Sequence, residues 1–301
     1  MIRGKGIYKS FDENKVLKGV DINIHKGSIY GLVGENGCGK STLLKILNGI
    51  YHCDKGVATW CNEGIFENPE IKEKIFFMNE AVYNFFGFSV KSMAKFLSTQ
   101  YKSFSWERFK ELEGSFKFSS SKKMNNLSKG QKKQAMFWIA FSLRPEVMIL
   151  DEPLDGLDPM IRKRIKEMII NETADREMTT IISSHNLLEL EDLCDHIGIL
   201  SNGKIIIEKD LDELKMDINK VQYVCDSEDY NFLEDDRFEV LSTEKRGKFK
   251  IAIVRGYRDE IIDKLEYSKV GFYDIMPLTL EEIFIAELEG KEYEYEKIMV
   301  R

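Results

Sequence analysis

Ser28-Ile29-Tyr30-Gly31-Leu32-Val33-Gly34-Glu35-Asn36-Gly37-Cys38-Gly39-Lys40-Ser41-Thr42 is the stretch from which the fold can be read. Its first six residues are an apolar run of strand length, and Leu43 to Gly49 behind it read as a helix. Between them stands Gly-x-x-x-x-Gly-Lys-Ser, the P-loop pattern. Small residues are required there because backbone N–H groups must turn inward around phosphate oxygens. A side chain at Gly37 or Gly39 would block that approach or forbid the backbone angles. The following helix points its positive end at the anion. Lys40 suits the terminal phosphates and the Ser41 hydroxyl suits magnesium. Gly34, Glu35, Asn36, Cys38 and Thr42 complete the cradle expected to hold ATP with Mg2+. A glycine-rich turn that merely contains a lysine is the bland alternative, and the strand–loop–helix order argues against it.

Working outward, Pro145 to Leu150 is a second buried-strand candidate and ends in Asp151-Glu152-Pro153. A strand that delivers an acid at its C-terminal end beside a P-loop is a Walker B arrangement. Asp151 is expected to hold magnesium. Glu152 points differently and can polarise an attacking water as general base. Upstream, Leu127-Ser128-Lys129-Gly130-Gln131 precedes a helical segment, residues 132–143, with an apolar face at 136, 139, 140 and 143. Taken alone, Ser128 reads as a helix cap and Gly130 as incidental.

In order, the three motifs resemble the ABC ATPase family, whose signature is Leu-Ser-Gly-Gly-Gln. Leu154-Asp155-Gly156-Leu157-Asp158-Pro159 looks like the family's D-loop, and Thr180 to Ser184 followed by His185 looks like its H-loop. Asn186 to Gly203 resemble its closing helix and strand, and the likeness covers residues 1–210. It implies an ABC-type P-loop ATPase core of α/β class with a helical subdomain, here about residues 81–143. It implies that Phe11, chosen over Tyr8, lies against adenine. Ser128, Gly130, Gln131 and Asp158 are implied to meet ATP across a dimer, the helix N-terminus at Ser128 binding a phosphate held by the other subunit. His185 is implied to position the γ-phosphate or the water. The signature departs from the family at Lys129. At the Q-loop, Glu80 stands where glutamine is usual, and is expected as a metal ligand carrying an extra negative charge. The aromatic segment 81–88 reads either as subdomain core or as part of a groove for a membrane subunit.

The 301 residues are 43% hydrophobic and 32% charged, an ordinary globular balance. No run of about 18 apolar residues is present to span a bilayer. The amino terminus has no apolar secretion core, which predicts a cytosolic protein, peripheral on the inner face of the membrane. A net charge of −7 argues against nucleic acid as a partner. Residues 215–301 hold 14 Lys/Arg against 21 Asp/Glu, so residues 1–214 are balanced and a boundary is expected near 215. Beyond it, 221–224, 238–241 and 249–254 read as strands, and 257–265 and 278–288 as helices, giving a small C-terminal α+β domain. Five cysteines with no Cys-x-x-Cys pair read as reduced thiols rather than a zinc site.

One set of motifs and no heptad insertion set aside ATPases that act on ribosomes or DNA. Glu152 and His185 together oppose a nucleotide sensor without turnover. The remaining expectation is an ATP-hydrolysing subunit of an ABC transporter. It works as a homo- or heterodimer under a separate membrane-spanning permease, and its style resembles bacterial ABC-2-type exporters.

Overall fold

The computed structural model describes residues 1–79, 87–224, 238–267, 270, 272–276 and 278–283. Two compact units divide the chain, residues 1–208 and 209–301. The first contains strands Ile2–Phe11 (β1), Asn14–Ile24 (β2), Ile29–Val33 (β3), Lys55–Trp60 (β4), Glu63–Gly64 (β5), Ile75–Met78 (β6), Val147–Asp151 (β7), Thr179–Ser184 (β8) and His196–Ser201 (β9), with Lys204–Asp210 (β10) at its end. Its helices are Lys40–Leu47 (α1), Pro69–Lys72 (α2), Val90–Leu97 (α3), Trp106–Glu113 (α4), Lys129–Leu143 (α5), Pro159–Arg176 (α6) and Leu187–Glu191 (α7).

The main sheet has the order β10-β9-β3-β8-β7-β6. Strand β3 pairs in parallel with β8 and β9, and β7 in parallel with β8 and β6. Strands β3, β7 and β8 are buried at every residue, as parallel strands covered on both faces must be. The register sets Val33 beside Ser184 and Asp151 beside Ser183. The P-loop, the Asp151-Glu152 pair and His185 therefore leave the sheet at one shared edge, outside the carboxyl ends of its strands, where open α/β sheets place their ligands.

A second sheet, ordered β2-β1-β4-β5, is antiparallel and was not visible in the sequence, because Lys and Gly interrupt the apolar alternation of β1 and β2. One core joins the two sheets through α1, with Ile2, Ile7 and Ile22 of the antiparallel sheet clustered with Leu43, Leu44 and Leu47 and with Ile149 and Ile181.

Helices α3 and α4 pack on α5, with capping boxes on α3 (Ser89–Ser92) and α5 (Ser128–Gln131). Helix α5 departs from the expected single apolar face: every residue from Lys133 to Leu143 is buried. Its exposed first turn misled the pattern, since α3 and α4 both pack against the rest of it. Trp138 stacks on Phe109 at 4.7 Å and on Phe116 at 5.6 Å, and its Nε1 donates to the Phe109 carbonyl at 2.8 Å. Among the described residues no helix is long and apolar enough to cross a membrane.

The second unit contains Leu211–Asp217 (α8), Ile218–Val224 (β11), Glu239–Arg246 (β12), Phe249–Arg255 (β13), Arg258–Tyr267 (α9) and Phe272–Met276 (β14). Its sheet, β12-β13-β11-β14, is antiparallel throughout, with α9 linking β13 to β14. That strand order is the split β-α-β arrangement of ferredoxin-like domains. Val221, Tyr223, Ala252, Val254 and Ile275 pack with Ile261 and Leu265 of α9. The unit begins at 209, so the boundary expected near 215 falls inside α8. Asp210 caps that helix, and Leu214 packs with Ile218, Leu278 and Ile283. Residues 280–283 are helical as expected, and the rest of the expected 278–288 helix lies outside the described residues. Strand β14 was not read from the sequence: it is short, with only Ile275 fully buried.

Trp138→Ala removes two ring stacks and a hydrogen bond from a sealed core. It should cost about 3–5 kcal/mol in the urea unfolding of the first unit, followed by circular dichroism. A loss under about 1 kcal/mol would contradict this packing.

Candidate active site

The glycines of the loop after β3 are needed for two different reasons. Gly37 and Gly39 have φ of 84° and 114°, which L side chains rarely adopt. Gly34 has no such angle, but a Cβ there would lie 2.3 Å from the Leu200 carbonyl oxygen. Gly39 stands at the N-cap of α1 with no side-chain cap, so the first turn's N–H groups face an anion position without side-chain competition. Lys40 is 5% exposed. Its Nζ donates to the Gly34 carbonyl at 2.6 Å and the Glu35 carbonyl at 3.1 Å, and lies 3.3 Å from Glu152 Oε1. Asn36 and Ser41 are exposed, Glu35, Cys38 and Thr42 half-buried. Burial pushes the Cys38 thiol up from its ordinary range, with Lys40 opposing in part.

Asp151 and Glu152 stand at the end of β7, and Ser183 of the neighbouring strand fastens both. Ser183 Oγ donates to Asp151 Oδ1 at 2.8 Å and accepts from the Glu152 backbone N–H at 3.0 Å. Glu152 has φ of 49°, a left-handed conformation costing a non-glycine residue about 1–2 kcal/mol. That turn aims its carboxylate between two cationic or polar partners: Oε2 lies 3.0 Å from His185 Nδ1, and Oε1 faces Lys40. Oε1 is buried, and among the described residues no group donates it a hydrogen bond of good geometry. An acceptor in that condition suits a water molecule.

Ser128 caps α5 by accepting from the Gln131 N–H at 3.2 Å, while Gln131 Oε1 accepts from the Ser128 N–H at 3.3 Å. Ser128 and Lys129 are exposed and Gly130 is half-buried. A Cβ on Gly130 would sit 3.2 Å from the Gly156 carbonyl oxygen, so the helix start is pressed against the D-loop. Asp158, expected at the nucleotide, caps α6 by accepting from the Ile161 N–H at 3.1 Å. Asp155 was not expected at the site: ligand atoms of Glu152, Asp155 and His185 lie within 4.8 Å of one another. Phe11, 40% exposed, packs edge-on to Tyr51 at 5.4 Å with Lys9 over its ring at 5.5 Å. Glu80 lies outside the described residues, with the segment 81–86.

Magnesium favours an all-oxygen shell of carboxylate, hydroxyl and water. Ser41 and Asp151, two of the three expected ligands, offer such donors and fit the ion; the third, Glu80, lies outside the described residues. The Glu152–Asp155–His185 group mixes imidazole with carboxylate and suits it less well. Sequence reading missed Ser183, Asp155 and Lys133, whose fully buried ammonium bonds the backbone of this turn. No local signal marked them, because each reaches its target across at least 19 residues or through a loop turn.

The "ABC transporter" family model matches residues 17–155. An ABC transporter ATP-binding protein of Bacillus subtilis, YtrB, is 31% identical over 97% of this chain and 99% of its own length. The bacitracin transport ATP-binding protein BcrA of Bacillus licheniformis is 31% identical over 71% of each chain. A solved ATP-binding subunit of an ABC transporter superposes with a TM-score of 0.65 at 25% identity, over 71% of this chain and 92% of that one.

Ser183→Ala leaves a buried carboxylate oxygen and the Glu152 N–H without this partner. It should lower stability by about 1–3 kcal/mol in urea unfolding, and an unchanged midpoint would contradict the clamp. The raised Cys38 thiol holds less thiolate at a given pH, so iodoacetamide at pH 8 should label the exposed Cys61 before Cys38. Mass spectrometry of the labelled peptides checks the order, and Cys38 leading would contradict it.

Proposed function

This chain belongs to the ABC transporter family of ATP-binding proteins, and from that premise we propose how its residues divide the work of an exporter's motor. The chain is an ATPase. The observation that carries the reading is the Glu152 carboxylate, held 3.0 Å from His185 and 3.3 Å from Lys40 at the mouth of the phosphate loop. On this reading, ATP lies along Gly34 to Thr42, with Phe11 against its base and Lys40 against its β- and γ-phosphates. Glu152 Oε1 accepts a proton as the water oxygen bonds to the γ-phosphorus and the bond to the ADP oxygen breaks. His185 holds the carboxylate and the γ-phosphate in register. When bound, magnesium is held by Ser41 and Asp151, and it neutralises charge on the phosphate oxygens.

The second half of the site comes from a second nucleotide-binding subunit. Ser128 and Lys129 stand exposed at the N-terminus of a 15-residue helix, a surface able to bind a phosphate that the same chain's loop does not hold. Met160, at the start of α6 beside the D-loop, is 78% exposed and suits burial against that subunit. ATP closes the pair and hydrolysis releases it.

The partner above is a separate membrane-spanning permease. A groove of about 330 Å³ lined by Ile50, Phe77, Met93, Leu97, Tyr101 and Met136 supports docking of one of its helices, with exposed Phe96 nearby. That makes the chain peripheral on the cytoplasmic face. Outward transport is the direction proposed, from the likeness of the sequence to ABC-2-type exporters; one relative is an ATP-binding protein of bacitracin transport.

Glu152→Gln should lower kcat by about 100-fold or more while ATP affinity stays within about threefold. With ATP and magnesium it should also accumulate as a dimer in light scattering. A variant that turns over at the wild-type rate, or stays monomeric while wild-type enzyme hydrolyses ATP, would overturn the reading.

A further inference from the structure

Lys133 is an ammonium with no exposed surface, and it lies on the signature helix rather than in the phosphate loop. Its Nζ donates to the Glu152 carbonyl at 2.9 Å and to the Asp155 carbonyl at 2.7 Å. Burying a charge is unfavourable unless it makes strong hydrogen bonds, and a leucine or methionine would fill the same space at less cost. What the lysine adds is a pair of charge-assisted bonds to backbone that no apolar residue can supply.

Those bonds fall on an unusual piece of chain. Glu152 is left-handed, its N–H bonded to Ser183 and its carbonyl bonded to Lys133, so the two peptides flanking its Cα are both held. Strained backbone persists where its surroundings over-determine it. Three residues before Lys133, on the same side of α5, Gly130 abuts the Gly156 carbonyl. The first turn of α5 is therefore joined to the Glu152–Gly156 turn at two levels, by close packing at Gly130 and by hydrogen bonds at Lys133.

We propose that Lys133 is a positioning residue for hydrolysis, linking the signature helix to the backbone of the hydrolytic carboxylate. The proposal rests on the reading of Glu152 as general base. A shift of α5 when its N-terminus takes up the other subunit's nucleotide moves the Lys133 ammonium, and with it the Glu152 carbonyl. Each site's carboxylate is thereby set by the neighbouring site's occupancy. Lys133 has no exposed surface, so on this proposal it acts through the backbone it holds rather than on the nucleotide directly.

The test compares Lys133→Met in the wild-type and Glu152→Gln backgrounds of the full-length chain, measuring steady-state kcat, KM for ATP and single-turnover rate. In the wild-type background kcat should fall about 10- to 100-fold, the scale of a misplaced reacting group, with KM within about twofold. In the Glu152→Gln background the carboxylate is already gone, so Lys133→Met should lower the single-turnover rate by less than about twofold. An unchanged kcat, an equal loss in both backgrounds, or a rise in KM that accounts for the loss would overturn the proposal. If Lys133→Met does not fold, Lys133→Gln, which keeps N–H donors without the charge, is read by the same comparison. A Glu152→Gln enzyme of wild-type rate would instead remove the general base, and this proposal with it.

Discussion

Everything in the first unit is arranged around one problem: a backbone loop must turn its N–H groups toward a polyanion beside a buried ammonium and a carboxylate that do not neutralise each other completely. Lys40 meets this with two loop carbonyls and the Glu152 carboxylate, and Glu152 with Lys40 on one side and His185 on the other. The parallel sheet makes the arrangement possible, because strands β3, β7 and β8 end in register and deliver loop, acid and imidazole to one edge. The full burial of those strands keeps the edge fixed.

The parts legible in the sequence were those whose chemistry is local. Gly34 to Thr42 declare a phosphate cradle because the loop's backbone angles demand glycine at 37 and 39 and the chemistry demands lysine at 40. Asp151-Glu152 and His185 could be placed because each follows an apolar strand. The unread parts depend on distant chain. Ser183 looks like any strand serine until β7 and β8 pair. Lys133 looks like one more surface lysine in Lys132-Lys133, and only the burial of α5 shows otherwise. The left-handed turn at Glu152 carries no sequence signal, since non-glycine residues rarely adopt it. Likewise the first antiparallel sheet is held by pairings of residues that alternate poorly along each strand.

Two expected nucleotide contacts, Gln131 and Asp158, have capping tasks within the chain. Capping and nucleotide contact need not compete: a capped helix start is rigid, and a rigid start presents its remaining N–H groups in fixed directions. Gly130 and Gly156 show why the signature and D-loop segments act as one surface. A side chain at Gly130 would press on the Gly156 carbonyl oxygen, whereas Gly156 itself is glycine for its φ of 69° rather than for space. The second unit has its own core and a ferredoxin-like strand order.

The claim on which the account stands is that the Lys40 ammonium, now shared among three protein oxygens, is the group that grips the triphosphate. Calorimetric titration of ATP with magnesium into Lys40→Met measures this directly. The account predicts an affinity at least about 10-fold weaker than wild type, together with loss of turnover. An unaltered dissociation constant and an unaltered rate would mean that the nucleotide binds somewhere else.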